Sequence, residues 1–446
     1  MKKILITLFF LCLISCSSGD SSSTDELAAD GSSDSSDSGS TTTDSSSSDS
    51  STTADSTAKD SSATTPAIDD SEVGSGSQPV AGTLTAGDID DNLNYDSFTS
   101  YINGVLQSNS TDYELSLAVN DRIQIVAVDN NGNGISNGRV SFRNEQGKVL
   151  YQSQLNQAGV FNFLPANDGV SNTVTLTAVV ESIGDNTASA SVTFNLNQLS
   201  ETRAFNLTVD TSNQLRQTLE LSLVIDTTGS MADELAYILT ELESIVDQIN
   251  QDYPQVTMRF SVVVYRDVGD QYIVRHNDFT SDLDEVKTFL SQQTANGGGD
   301  YPEAMDQALE QALKLQWSSN SAVKMLFLIA DAPPHSNKFE ATYEHANTMR
   351  EQGIQMHAVA ASGVADSAEF LMRSMAFITA GRYIFLTDDS GVGNSHAEPK
   401  VACYIVTKLN DLIVRVISSE LSASRVEPDQ QDIIRTSGNY QNGVCQ

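Results

Sequence analysis

Cysteine, histidine and positive charge are all scarce in this 446-residue chain, and each shortage removes a class of function. The four cysteines, Cys12, Cys16, Cys403 and Cys445, form no C-x-x-C pair, which excludes zinc ribbons and thioredoxin-type redox centres. The five histidines, His276, His335, His345, His357 and His396, include no H-E-x-x-H, and no G-x-x-x-x-G-K-[ST] occurs, so zincin and P-loop chemistry have no signature. Lys and Arg number 24 against 59 Asp and Glu, a formal charge of −35. Such a chain repels nucleic-acid phosphate and anionic lipid headgroups, so no nucleic-acid partner is expected, whereas divalent cations are natural partners. Long apolar runs are missing as well. Ile4 to Ile14 is too short to span a bilayer comfortably, and it comes after Lys2 and Lys3 in the layout of a secretory signal.

The end of that apolar run carries a second signal. Leu13-Ile14-Ser15-Cys16 resembles a bacterial lipobox, which implies a lipoprotein signal peptide over 1–15 and a lipidated Cys16 that anchors the chain to a membrane. An ordinary signal peptide with an incidental cysteine is the alternative. Residues 16–80 read as a disordered tether of Ser, Thr, Asp, Gly and Ala. From Ser17 to Val80 it carries thirteen acidic residues against the single Lys59, so it can neither bury a core nor collapse against its own charge. The location implied is the bacterial cell envelope, lipid-anchored, at the outer membrane or cell surface.

Residues 81–115 read as a connecting segment with one short helix. Over 116–205 apolar residues alternate, as at Val174, Leu176, Ala178 and Val180, between Gly/Asn turns, which predicts a β-sandwich. The strand, "D-x-x-G-N-G" turn, strand order of Val126 to Phe142 resembles bacterial immunoglobulin-like repeats of surface adhesins. Asp129, Asn131, Asn133 and Gly134 also match the opening of a calcium loop, but position twelve is Val140 where a bidentate glutamate is required, so a hairpin turn is the better reading.

From Leu219 the period changes. Continuous apolar strands, such as Leu219 to Ile225 and Val323 to Ala330, alternate with amphipathic helices, such as that of Leu235, Ile238, Leu242, Ile245 and Ile249. This predicts a doubly wound, Rossmann-like α/β domain over 215–425, with ligands bound beyond the carboxyl ends of its parallel strands. Asp226 ends the first such strand, and Thr228 and Ser230 come next in the loop, a hard oxygen environment suited to Mg²⁺ or Mn²⁺. "DTTGS" resembles the D-x-S/T-x-S signature of von Willebrand factor A domains, whose fold is the one expected here and whose signature forms a metal-ion-dependent adhesion site. The resemblance implies that Asp226, Thr228 and Ser230 supply the first metal loop and Asp331 the third. In the second loop "NGGGDYPEA" stands where many members have threonine, leaving Asp300 as the nearest donor. It also implies an open coordination position that accepts an acidic side chain from a protein partner.

Each residue has a plainer reading. Asp300 and Glu303 fit a capping box for the helix after them, Thr228 and Ser230 fit helix caps, and Asp331 before Pro333-Pro334 fits a tight turn. Acidic residues converging on one sheet edge repel without a cation, which favours metal for the set. The function expected is metal-dependent adhesion or protein binding without catalysis. The alternatives are a metal-dependent hydrolase with His335 as base, and a structural envelope scaffold. Arg266 and Asp267 are expected to pair across a turn, and Asp388 and Asp389 to sit in a loop within reach of a partner. Cys403, in a helix-like apolar pattern, pairs with Cys445 of the 426–446 tail or stays a reduced core cysteine.

Overall fold

Chain order explains the architecture. The computed structural model describes residues 79–107, 115, 117–170, 174–183, 188–199, 203–211, 215–318 and 322–446. The signal peptide, Cys16 and nearly all of the tether lie outside them. A first strand, β1 (Thr85–Ile89), and helix α1 (Tyr95–Gln107) precede seven strands: β2 (Ile123–Val128), β3 (Gly138–Arg143), β4 (Val149–Gln154), β5 (Val160–Phe163), β6 (Thr175–Ser182), β7 (Ser189–Asn195) and β8 (Ala204–Thr208). Then come β9 (Thr218–Asp226), α2 (Leu235–Asp252), β10 (Thr257–Tyr265), β11 (Val274–Thr280), α3 (Leu283–Ser291), α4 (Met305–Lys314), β12 (Ala322–Ala330), α5 (Phe339–Glu351), β13 (Ile354–Ala360), α6 (Asp366–Ile378) and β14 (Tyr383–Leu386). The chain finishes with β15 (Tyr404–Lys408), α7 (Leu409–Ser422), β16 (Arg435–Ser437), β17 (Tyr440–Gln441) and β18 (Val444–Cys445).

The main sheet has nine strands in the order β11-β10-β9-β12-β13-β14-β1-β15-β16. Strands β10, β9, β12, β13 and β14 are mutually parallel. Their near-continuous burial is what a parallel sheet covered on both faces requires. Leu221, Leu223 and Ile225 of β9 join α2, α3 and α7 in one core, while Val224 faces the other way into the core of α1, α4, α5 and α6. No helix among the described residues is long and apolar enough to cross a membrane.

Residues 81–115, read from sequence as a connector with one short helix, hold that helix as α1 and, beyond the reading, a strand of the main sheet. Strand β1 lies antiparallel between β14 and β15. Its sequence, TAGDI, is a poor strand former because Gly and Asp are both depleted in strands, so tertiary contacts decide the outcome. Gly87 is needed there, since a Cβ would stand 2.5 Å from the Phe385 ring. Asp88 is buried against Arg382 at 3.1 Å and Arg415 at 3.3 Å. Burial alone would raise its pKa, but Arg415, Arg382 and Arg425 together hold it below the ordinary aspartate value. Cys403 also departs from the helical reading: it immediately precedes β15, whose β-branched "YIVTK" forms a strand before α7 begins. It is joined to Cys445 by a disulfide that ties the β17–β18 hairpin to the sheet.

Strands β2 to β8 form two sheets, β5-β2-β8 and β4-β3-β6-β7, over one shared apolar core. Leu176, Ala178 and Val180 point into it, whereas Val174, one residue before β6, is 49% exposed. The calcium-like opening is a turn: Asp129 Oδ1 accepts from the main-chain N–H of Asn131 and Asn133, and Gly132 takes φ +86°. Because β1 and α1 precede this sandwich and β9 comes after it, the sandwich is inserted into the α/β fold. It docks at the end where β12 begins. Arg216 donates both to Leu155 O of the sandwich side and to Ala322 O, and Arg350 of α5 is buried against Asp168 at 2.6 Å. The carboxyl edge of the sheet therefore lies about 30 Å away, nine residues along β12 at strand rise, and stays clear of the sandwich.

Candidate functional site

Asp226 closes β9, and Asp331 directly succeeds β12, its parallel neighbour, so both carboxylates leave the sheet at one edge. Asp226 is fully buried. Its Oδ1 accepts from the Thr228 N–H at 2.8 Å and the Thr228 hydroxyl at 2.7 Å, while Oδ2 makes no close hydrogen bond and has the buried Tyr265 hydroxyl beside the carboxyl. The Thr228 hydroxyl in turn lies 3.2 Å from that of Ser230. Asp331 is also buried, with Oδ1 unpartnered.

A third carboxylate arrives from the second loop, and it is Glu303 rather than Asp300. Glu303 is 2% exposed and its Oε2 has no partner. Its N–H donates to Pro333 O at 2.9 Å, which ties the second loop to the third. A methyl placed on Gly298 would meet Glu303 Oε1 at 2.8 Å and Thr228 Cβ at 3.1 Å, so these two side chains flank one small gap. The glycine run makes that approach possible: Gly297 and Gly298 both take positive φ, and the loop is fixed by Gly229 N–H to Gly297 O and Asn296 N–H to Thr227 O. Asp300 is exposed and makes no hydrogen bond with the cluster among the described residues. Nor does it cap a helix, because the N-cap of α4 is Ala304, with no side-chain cap. The capping pattern assigns Glu303 to the helix, and no signal in the sequence marks its burial.

Electrostatics result from this crowding. Burial, and then the charge of Asp331, push Asp226 up to about 7. Glu303 is pushed up to about 9 by burial and then by Asp226, Asp267, Asp331 and Asp270. Asp331 is raised too, again chiefly by burial. Unpartnered carboxylate oxygens in a dry site are costly, and a hard divalent cation is the species that relieves them. The donors fit one: carboxylate and hydroxyl oxygen with no nitrogen or sulfur. Among the described residues no three His, Cys, Asp or Glu side chains are grouped at metal-binding spacing, so the Thr228 and Ser230 hydroxyls and water would complete a shell.

The rim differs from expectation in one pairing. Arg266 does not pair with Asp267; it is buried, donating to Thr227 O at 3.1 Å and Thr294 O at 2.7 Å over the Tyr272 ring, where loop carbonyls need a donor. Asp267 instead holds His335 Nε2 at 2.7 Å. Asp388 and Asp389 are engaged internally, by His396 and Arg435 respectively.

His396 fastens the loop after β14 onto the turn beyond Ser230. Its Nε2 lies 2.6 Å from Glu234 Oε1 and its Nδ1 2.8 Å from Asp388, while Asn394 donates its main-chain N–H and its amide to Asp233. Burial alone would lower the His396 pKa, but bonds to Glu234 and Asp388 outweigh it and hold the ring above the ordinary histidine value. A group raised in the folded state adds stability that is complete below its unfolded pKa, near 6.5, and lost as pH rises through the higher folded value. The melting temperature is therefore expected to fall across that upward window, and His396→Gln to flatten the fall. Identical pH profiles for both proteins would show that the ring carries no charge there.

Known proteins share part of this chain. Residues 220–391 match the family model described as von Willebrand factor A domain. An ariadne-like RING finger protein of Acanthamoeba polyphaga mimivirus, named as putative, is 27% identical over 176 residues, 35% of this chain. The match spans 17% of that relative's length. Among solved structures, the conserved hypothetical protein BatB of Bacteroides thetaiotaomicron is 17% identical, with 46% of this chain and 99% of BatB covered at a TM-score of 0.34. The pilus adhesin SpaC of Lactobacillus rhamnosus GG, in its open conformation, is 12% identical, with 56% of this chain and 34% of SpaC covered at a TM-score of 0.31.

Proposed function

We propose that the A domain holds one divalent cation, Mg²⁺ or Mn²⁺, between the loops of Asp226, Thr228, Ser230, Glu303 and Asp331, and docks a protein partner there. The observation that carries this reading is the set of buried, unpartnered oxygens on Asp226, Asp331 and Glu303, one from each of three loops at one sheet edge. A bound cation would supply a Lewis-acidic position for a partner's oxygen. The chain's own part is to keep that position open and preset: Asp226 fixes the Thr228 hydroxyl, and the glycine loop keeps the edge clear.

In the same proposal the protein is a lipoprotein anchored through Cys16 in a bacterial envelope. The sandwich, taken as an immunoglobulin-like domain, acts as a rigid foot rather than a loose spacer, given its buried ion pair to α5. Calorimetric titration of Mg²⁺ and Mn²⁺ tests the cation: the protein binds one per chain, and Asp226→Ala none. The hydroxyls of Thr228 and Ser230 cap no helix, contrary to their plainer reading from sequence, so absence of binding to the unsubstituted protein would leave them their bonds to Asp226 and to each other.

The Asp267–His335 pair favours a second reading, hydrolysis by a cation-activated water with His335 as base. If the site only docks a partner, His335→Ala leaves cation binding unchanged, and no turnover of phosphate esters or peptides is found in either protein. Turnover that His335→Ala abolishes would replace docking by catalysis.

A further inference from the structure

Helices α2 and α7, with the segment 426–432 beyond α7, bound a cavity of about 510 Å³ that none of the three cation loops lines. Its size lies in the range of about 300–1,000 Å³ usual for small-ligand sites, but its lining is mostly polar, so a polar ligand is the one it suits. Arg415 of α7 lines it and is only 5% exposed. Its Nη2 lies 3.3 Å from Asp88, while Nη1 has no partner. Asn410, a second lining residue, leaves its buried Oδ1 without a partner as well. A buried donor and a buried acceptor left unmade are costly, and a ligand that offers both an acceptor and a donor relieves the two together.

The rim adds charge of one sign. Asp252 of α2, Asp411 of α7, and Asp429 and Asp432 of the segment after it all line the same cavity. Among the described residues no cation stands at ion-pair distance from these carboxylates. Glu427 is different, being already engaged by Arg425 and the Tyr440 hydroxyl. Burial raises the pKa of Asp411, Lys408 lowers it and Asp432 raises it again, so the Asp411 and Asp432 carboxylates feel each other's charge.

We propose that this cavity is a second binding site, for a basic amino acid of the lysine type: Arg415 takes its carboxylate, and Asn410 with the rim aspartates takes its ammonium groups. A diamine would leave Arg415 without an acceptor, and an acidic ligand would be repelled by the rim. One buried arginine under an acidic rim therefore selects a species that carries both signs and a net positive charge. The site does not depend on the divalent cation.

The experiment is calorimetric titration of the full chain with L-lysine, beside cadaverine, which lacks the carboxylate, and norleucine, which lacks the side-chain ammonium. One lysine is expected to bind per chain, with cadaverine and norleucine each weaker by about tenfold or more. Asp432→Asn, at an exposed position, is expected to weaken lysine binding about tenfold. Arg415→Gln is expected to make lysine and cadaverine bind alike, because the donor that tells them apart is gone. Asp226→Ala is expected to bind lysine as the unsubstituted protein does, so failure of the cation reading and failure of this one are read separately. Absence of lysine binding to the unsubstituted protein, or cadaverine or norleucine binding as tightly as lysine, overturns the proposal. Lysine binding that Asp432→Asn leaves unchanged overturns it too, by placing the ligand elsewhere. Should Arg415→Gln not fold, the three ligands on the unsubstituted protein and on Asp432→Asn decide.

Discussion

Arg350→Ala destabilises the protein by about 3–5 kcal/mol, the range for breaking a buried ion pair by removing one partner. The guanidinium of Arg350 is buried, and Asp168, 2.6 Å away, is buried with it. It also donates to the Tyr151 hydroxyl at 3.1 Å and to Asn162 O, and it lies over the Phe161 ring at 4.7 Å. Truncation leaves the buried Asp168 carboxylate with the Leu164 N–H but without its counter-charge, and removes the Arg350 donor to Asn162 O. Arg350→Lys recovers little, because one ammonium cannot reproduce the planar fork. Adding Asp168→Asn to Arg350→Ala recovers a measurable part by removing the stranded charge. Chemical denaturation checks the magnitude. A change below about 1 kcal/mol, in the range of an exposed pair, would contradict the rigid docking of the sandwich.

Asp226→Asn has an effect whose sign depends on the cation. The amide keeps an oxygen for the Thr228 N–H and hydroxyl and removes the buried charge beside Asp331. In chelator-treated buffer the variant is expected to melt higher than the unsubstituted protein, by about 1–3 kcal/mol of stability. Adding Mg²⁺ at about a hundred times its dissociation constant stabilises the unsubstituted protein by about 2.7 kcal/mol and leaves the variant where it was. The order of the two melting temperatures therefore closes or inverts on adding Mg²⁺. Parallel shifts in both proteins would place the cation elsewhere.

The parts legible in the sequence are those written in local pattern. Continuous apolar strands indicate the parallel sheet, and a strand ending in Asp226 or Asp331 indicates its functional edge. Strand β1 is not legible because Gly87 and Asp88 oppose strand formation locally. Only the Phe385 ring and the arginines around Asp88, hundreds of residues away, reverse that. Insertion of the sandwich into the α/β fold is hidden for the same reason, since a chain read in order treats domains as consecutive. At the site, Glu303 matches a capping box so well that its burial goes unread, and Asp300 draws the assignment by standing next to the glycines. Pairings such as Asp267–His335 and Glu234–His396 join residues 68 and 162 positions apart, and no periodicity announces them.

The most direct measurement is anomalous diffraction from crystals of the protein grown with Mn²⁺. One strong anomalous peak is expected at the carboxyl edge of the sheet, among Asp226, Thr228, Ser230, Glu303 and Asp331. A structure at full Mn²⁺ occupancy elsewhere, or with water alone between these side chains, would contradict a cation held by these three loops.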